Sequence, residues 1–292
     1  MPLPVILDCD NTMGLPGKEI DDGLTLLYLL GRPDIEVLGV TTTFGNGPIE
    51  AVYPATQRLL RALGREDIPV LEGAGQRGQP PTAAARFLAE TVAARPGEVA
   101  VLAIGPLGNL RAAAELDPGF FGHVRQIACM GGYLHPLRIG QRDVAELNFS
   151  CDPEGAYATL HAPCPVTVMN AHVCLQAPFG AGDLARLPWD APTRASVQGW
   201  LETFGAWCGV DVFYLWDLLP AVYLSHPELF APRPVRLRST VADLETGSLV
   251  LAQGEAGSPV NMPEHIHDPA RFKEVLFQAW ERVAVRGEEL AP

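Results

Sequence analysis

Basic residues are scarce in this chain. Of its 292 residues only Lys18 and Lys273 are lysines, and the 34 Asp and Glu outnumber the 21 Lys and Arg, leaving a formal net charge of −13. A surface of that sign repels phosphate backbones, so nucleic acid is excluded as a bulk partner. Paired cysteines are missing as well. Cys9, Cys129, Cys151, Cys164, Cys174 and Cys208 are scattered with no Cys-x-x-Cys among them, which argues against a zinc knuckle. Four of them lie in or beside apolar runs, as small buried residues do, and a reduced, cytoplasmic setting fits. The chain runs straight into Pro4-Val5-Ile6-Leu7-Asp8 without the basic stretch or cleavage site of a signal peptide. No apolar run reaches membrane-spanning length, so no membrane partner is expected. No internal repeat, low-complexity tract or linker divides it.

What is present is a rhythm of short apolar runs and amphipathic stretches. Val5–Leu7, Ile35–Thr41, Val70–Leu71, Val99–Ile104, Gln126–Met130 and Val166–Met169 read as buried strands. Between them Asp21–Gly31, Pro48–Leu63, Thr82–Ala94 and Leu107–Leu116 read as helices, the first opening on acids and stopping at Gly31-Arg32-Pro33. Such alternation implies the α/β class, a mostly parallel central sheet with helices on both faces, in one domain spanning residues 1–292. Beyond residue 180 the rhythm weakens. Thr193–Trp207, Leu218–Leu224 and Phe272–Val285 look helical, and Val235–Leu251 looks like a hairpin turning near Glu245-Thr246-Gly247.

Open α/β sheets bind ligands beyond the carboxyl ends of their strands. There the first strand delivers Asp8 and Asp10 on one side, and Asp21-Asp22 opens the next helix. Acids converging on one loop repel each other without a cation, and hard oxygen ligands favour calcium or magnesium over zinc. The plainer alternative is a strand-end acid followed by a helix whose first turn favours negative charge. Asp8-Cys9-Asp10-Asn11-Thr12 also looks like the first motif of haloacid-dehalogenase-type phosphatases, which need a downstream lysine and a second acidic pair; only Lys273, near the C-terminus, is on offer.

A second resemblance runs from Asp8 to Asp217. Asp8-x-Asp10 followed by Asp21-Asp22 resembles the N-terminal motif of the inosine-uridine nucleoside hydrolases, although Asn11–Ile20 is longer than the family's turn. Thr41-Thr42-Thr43-Phe44-Gly45-Asn46 resembles the second strand with its ribose-binding Asn. Ile104-Gly105-Pro106-Leu107-Gly108-Asn109, Met130-Gly131-Gly132, Ala145-Glu146-Leu147-Asn148 with Asp152-Pro153-Glu154, and Trp216-Asp217 resemble, in order, four further family segments. The resemblance implies a Rossmann-like nucleoside hydrolase fold and hydrolysis of the N-glycosidic bond of a ribonucleoside to free base and ribose.

It further implies calcium held by Asp10, Asp22, Asp217 and the Ile104 carbonyl, with Asp10 also taking the proton of the attacking water. Asp21, Asn46, Met130, Glu146 and Asn148 would grip the ribose. A small nucleoside is the implied partner, in a homodimer or homotetramer. Many members carry a His before the last Asp to protonate the leaving base. Trp216 stands there instead, as a Trp does in the purine-specific branch, and its electron-rich face can stack on a base. Phe204, Trp207, Phe213 and Tyr214 are candidates to complete an aromatic pocket. His172 is either a pocket residue or a satisfied buried His; His265 and His267 read as surface or edge residues, and His226 as the start of a turn. A ribose-binding protein that has lost catalysis is the non-enzyme alternative.

Overall fold

The computed structural model describes residues 1–290. Its frame is an eight-stranded sheet whose strands run β1 Leu3–Cys9, β2 Ile35–Thr42, β3 Val70–Leu71, β4 Ala100–Ala103, β5 Gln126–Met130, β8 Val166–Met169, β11 Pro234–Leu237 and β12 Ser258–Asn261. Two ribbons stand outside it: β6 Leu137–Ile139 with β7 Arg142–Val144, and β9 Pro178–Gly180 with β10 Val212–Tyr214. The sheet order is β11-β12-β8-β5-β4-β1-β2-β3, parallel throughout except for β11 on β12.

Both faces of this sheet are covered, which is why its strands read as unbroken apolar runs rather than as alternation. Val5, Leu7 and Cys9 of β1 enter one core, and Ile6 between them enters the other. On the first face pack the helices Asp21–Leu30, Leu218–Ser225 and Pro269–Trp280. The indole N–H of Trp280 donates to the Leu24 carbonyl at 3.1 Å and ties two of them together. Gly31 ends the first helix with an ordinary φ of −80°, so a left-handed cap is not its purpose. A Cβ there would run into the backbone of Ala279, so close approach of the last helix requires the glycine. Ala83–Ala94, Gly108–Leu116 and Pro153–Leu160 cover the second face.

The chain adds β2 and β3 outward on one side of β1, then returns to place β4 on the other. The strand order therefore reverses between β1 and β4, and the crevice opens at the carboxyl ends of these two strands. Asn109, from the turn after β4, locks this point. Its amide N–H donates to Asp8 Oδ1 at 2.8 Å and to the Thr42 carbonyl at 2.9 Å, and its Oδ1 accepts from Ala74 N–H at 3.0 Å.

The expected hairpin over Val235–Leu251 forms only in part: Leu237 bridges Leu251 antiparallel, with Arg238 N–H on the Val250 carbonyl at 2.9 Å and Ala252 N–H on the Arg236 carbonyl at 2.8 Å. The regular ladder of β11 is with β12, also antiparallel, and the chain between the two hairpin arms makes a helical turn, Val241–Leu244. The cause is local: Thr240 Oγ1 accepts from Asp243 N–H at 3.2 Å while Asp243 Oδ2 accepts from Thr240 N–H at 2.8 Å, a reciprocal cap that starts a helix where a strand was expected. Glu245-Thr246-Gly247 is the end of that turn. The two ribbons, too short to show a period, have no counterpart in the sequence reading. Among the described residues no helix is long and apolar enough to cross a membrane.

Asn109→Ala strips partners from three buried groups at once. We expect it to cost about 2–4 kcal/mol, read as a lower urea midpoint at unchanged slope. A shift equivalent to under about 0.5 kcal/mol would show that the lock is not needed.

Candidate active site

β1 carries two carboxylates to the crevice, and the structure gives them different surroundings. Asp8 is fully buried; its Oδ1 accepts from Thr41 Oγ1 at 2.6 Å and from Asn109, and its Oδ2 has no partner. Burial nevertheless pushes its pKa up to about 7. It belongs to the lock between strands. The phosphatase reading loses its nucleophile there, and Lys273 is paired with Asp183 at 2.7 Å on another part of the fold. Asp10, also fully buried, has one oxygen held and one free. Oδ2 accepts from Asn46 N–H at 2.6 Å, while Oδ1 has no partner. The turn that brings Asn46 so close passes through Gly45 at φ +154°, where a Cβ would meet the Asp10 carboxylate.

Asp22, in the first turn of the Asp21–Leu30 helix, accepts from Asp10 N–H at 3.1 Å and from the Asn46 amide at 3.1 Å. Asp21 Oδ2 accepts from Asp217 N–H at 3.2 Å, and its Oδ1 is buried without a partner. One carboxylate oxygen each of Asp21, Asp22 and Asp217 lies within 4.8 Å of the others. The set expected from resemblance had Asp10 in place of Asp21; Asp10 sits beside this trio, its carboxyl in hydrogen-bond contact with that of Asp22. A further acid, Glu19, touches Asp21 from the loop before the helix. Among the described residues none of these five carboxyls takes part in an ion pair.

Buried acids crowded in this way hold their protons unusually tightly. Burial, then the charge of Asp21, pushes Asp22 up to about 8. Burial raises Asp21 to about 6, and burial with neighbouring carboxylates raises Asp10 and Asp217 well above the usual range. A hard divalent cation relieves the same repulsion. The orphaned oxygens of Asp10 and Asp21 and the all-oxygen donor set fit one.

A cavity of about 220 Å³ opens from this cluster. Met130, Glu146 and Asn148 line its other side. The Asn148 amide donates to the carbonyls of Ile104, at 3.0 Å, and Met130, at 3.2 Å, so the Ile104 oxygen is aimed into the site and already engaged. The Glu146 carboxylate accepts from the backbone N–H groups of Phe149, at 2.9 Å, and Ser150, at 3.0 Å, which fixes it at the cavity wall. The far wall is aromatic. Trp200, Phe204 and Trp207 project from one face of the Ala191–Cys208 helix at helical spacing, and Trp216 stands next to Asp217. Tyr214 backs Trp216 with ring centroids 5.3 Å apart. Phe213 turns away, packing on Phe179 in the core, because alternate residues of β10 point to opposite sides. The β6–β7 ribbon contributes Leu137 and Val144, its tip bound to the end of the aromatic helix by Gln141 N–H on the Cys208 carbonyl at 2.9 Å.

The family model for inosine-uridine preferring nucleoside hydrolases matches residues 5–274. The chain belongs to that family. Uridine nucleosidase 1 of Arabidopsis thaliana is 29% identical over 283 residues, covering 86% of this chain and 82% of that one. A plant nucleoside hydrolase of known structure superposes with a TM-score of 0.83 at 24% identity, over 96% of this chain and 99% of its own. A purine-preferring ribonucleoside hydrolase from Gardnerella vaginalis also reaches 0.83, at 20% identity, over 95% of this chain and 98% of its own. The protein is thus a nucleoside hydrolase by family, and its family is metal-dependent.

Among the cavity residues that the sequence reading missed, Leu137, Val144 and Ala171 are aliphatic, and two others carry chemistry. Glu19 hides in the lengthened Asn11–Ile20 loop and had no signal of its own. Trp200 did have one, its spacing from Phe204 and Trp207. His172 is half-buried beside the cavity and bonds His135 at 2.9 Å rather than lining the site. His265 and His267 are exposed, and His226 precedes the short Pro227–Leu229 turn, as expected.

The raised carboxylates give a sign for pH dependence. A group whose folded-state pKa lies above its unfolded value stabilises the fold at low pH and loses that contribution as pH rises through the folded value. With Asp21 at about 6, Asp8 at about 7 and Asp22 at about 8, the chelated protein should melt progressively lower from about pH 5 to about pH 8. Calcium should restore most of the loss at the upper end. Identical melting profiles with chelator and with calcium would mean that the cluster holds no cation.

Proposed function

We propose that this nucleoside hydrolase is calcium-dependent and cleaves ribonucleosides to free base and ribose, with Asp10 as the base that takes the proton of the attacking water. The observation that carries this reading is the meeting, in one cavity, of an acidic cluster with no basic partner and an aromatic wall. Asp10, Asp22, Asp217 and the Ile104 carbonyl would hold the cation, with Asp21 beside them. When bound, it would supply Lewis acidity for water and a grip on vicinal hydroxyls. Asp10 keeps Oδ2 in the Asn46 hydrogen bond and leaves Oδ1 free for the proton. Asp21, Asn46, Met130, Glu146 and Asn148 would position the ribose, and Glu146 would favour the positive charge that develops on the sugar. Trp216 would stack on the leaving base. We also propose a single domain over residues 1–292, a homodimer or homotetramer, and a cytoplasmic setting; sedimentation equilibrium reads the assembly.

The test is chromatographic. Purified protein is incubated separately with inosine, adenosine, guanosine, uridine and cytidine, with calcium and with excess chelator, and free base is measured. Calcium-dependent release is expected, purines ahead of pyrimidines because the larger ring stacks better. Calcium binding with no release from any of them would favour a binding role. Nucleoside 5′-monophosphates should be rejected, since the cavity wall carries Glu19, Glu146 and Asp217 and no Lys or Arg. Trp216→Ala should slow inosine by about tenfold or more, on the order of 1.4 kcal/mol, and spare activated aryl ribosides. Equal loss on both would remove Trp216 from leaving-group activation.

A further inference from the structure

The Asn11–Ile20 loop delivers a carboxylate that the family pattern does not contain. We propose that Glu19 is a positioning residue of the cation site: held against Asp21 by the lengthened loop, it orients Asp21 toward Asp22 and Asp217 and adds negative charge that retains the cation. The inference rests on the calcium reading above.

The loop is a built structure. Thr12 Oγ1 donates to the Glu19 carbonyl at 2.7 Å, Asn11 Oδ1 accepts from Met13 N–H at 3.0 Å, and the buried Met13 side chain fills the space over Gly23. At its outer turn Gly17 lies near Thr203 of the aromatic helix, at the left-handed φ of +66°. The Glu19 carboxyl is thereby brought into hydrogen-bond contact with that of Asp21 and borders the cavity.

Glu19 lies outside the trio whose oxygens share a 4.8 Å neighbourhood, and its contact with the cluster is with Asp21, through which it acts. Two features make the contact meaningful. The neighbouring Lys18 donates to the Asn46 carbonyl at 3.3 Å, and among the described residues it makes no ion pair with Glu19 or Asp21. Asp21 itself carries a fully buried oxygen with no partner. A second acid beside Asp21 adds a further oxygen to the surroundings of a divalent ion once one is bound. Charge count and outer partners of this kind tune metal affinity, by about 10–100-fold.

The experiment is calcium titration calorimetry on the full chain without substrate, for wild type, Glu19→Gln and Glu19→Asp, with melting curves in chelator. Glu19→Gln should weaken calcium by about tenfold or more, and Glu19→Asp should recover most of it. In chelator Glu19→Gln should melt no lower than wild type, because the amide keeps the shape of the acid and can still hydrogen-bond Asp21. At saturating calcium its KM for inosine should be close to that of wild type. Unchanged calcium affinity in Glu19→Gln overturns the inference, and an accompanying rise in KM would assign the residue to the substrate instead. A lower melting point in chelator would make Glu19 a structural prop and overturn it too. Absence of calcium binding to the wild-type chain would overturn the calcium reading itself, and Glu19's role with it.

Discussion

Carboxyls crowded at the end of β1 can share one crevice only by keeping protons or by meeting a cation. Asp10, Glu19, Asp21, Asp22 and Asp217 come from three separate parts of the chain and meet in the interior with no lysine or arginine to offset them. In an ordinary core such an arrangement would be selected against, because each buried charge costs free energy unless paired. Its presence at the point where the strand order reverses is what a cation site in an open α/β sheet requires.

Much of the surrounding structure serves to hold that cluster still. Asn109 joins β1, β2 and the turn after β3 through one amide, and Asp8 spends its carboxylate on the same lock. Asn46 bonds Asp10 through its backbone and Asp22 through its side chain, which fixes the two acids relative to each other. Asn148 ties Ile104 to Met130 across the cavity. Polar groups buried this deeply are useful only if their neighbours are rigid; Asp8 sits at the end of a strand, Asn109 and Asn148 in the first turn of a helix, and Asn46 in the short loop after β2.

The roof is of a different kind. The aromatic helix and the β6–β7 ribbon close the cavity with apolar side chains and are joined to each other at the ribbon tip. Trp207 is 45% exposed and Leu147 38%, so the mouth is rimmed by apolar surface suited to a flat aglycone. Sugar and base would thus meet opposite chemistries, a polar floor and an aromatic wall, within one small cavity.

The sequence by itself determined the class of the fold, all six parallel strands that were read from apolar runs, and the order of the segments that carry Asp10, Asp21, Asp22, Asn46 and Asp217. These are legible because burial on both sheet faces and acids at a helix start leave short-range marks. Tertiary structure alone decided the rest. It separated Asp8 from Asp10, two residues apart on one strand, by giving the first hydrogen-bond donors on β2 and the turn after β4. It brought Glu19 into the cluster, added Trp200 to the wall and sent Phe213 to the core. It gave β11 a regular ladder with β12 and left the nearer segment, beyond a capped helical turn, a single bridge. In each case the outcome depends on which distant groups arrive beside a residue, and no local pattern encodes that.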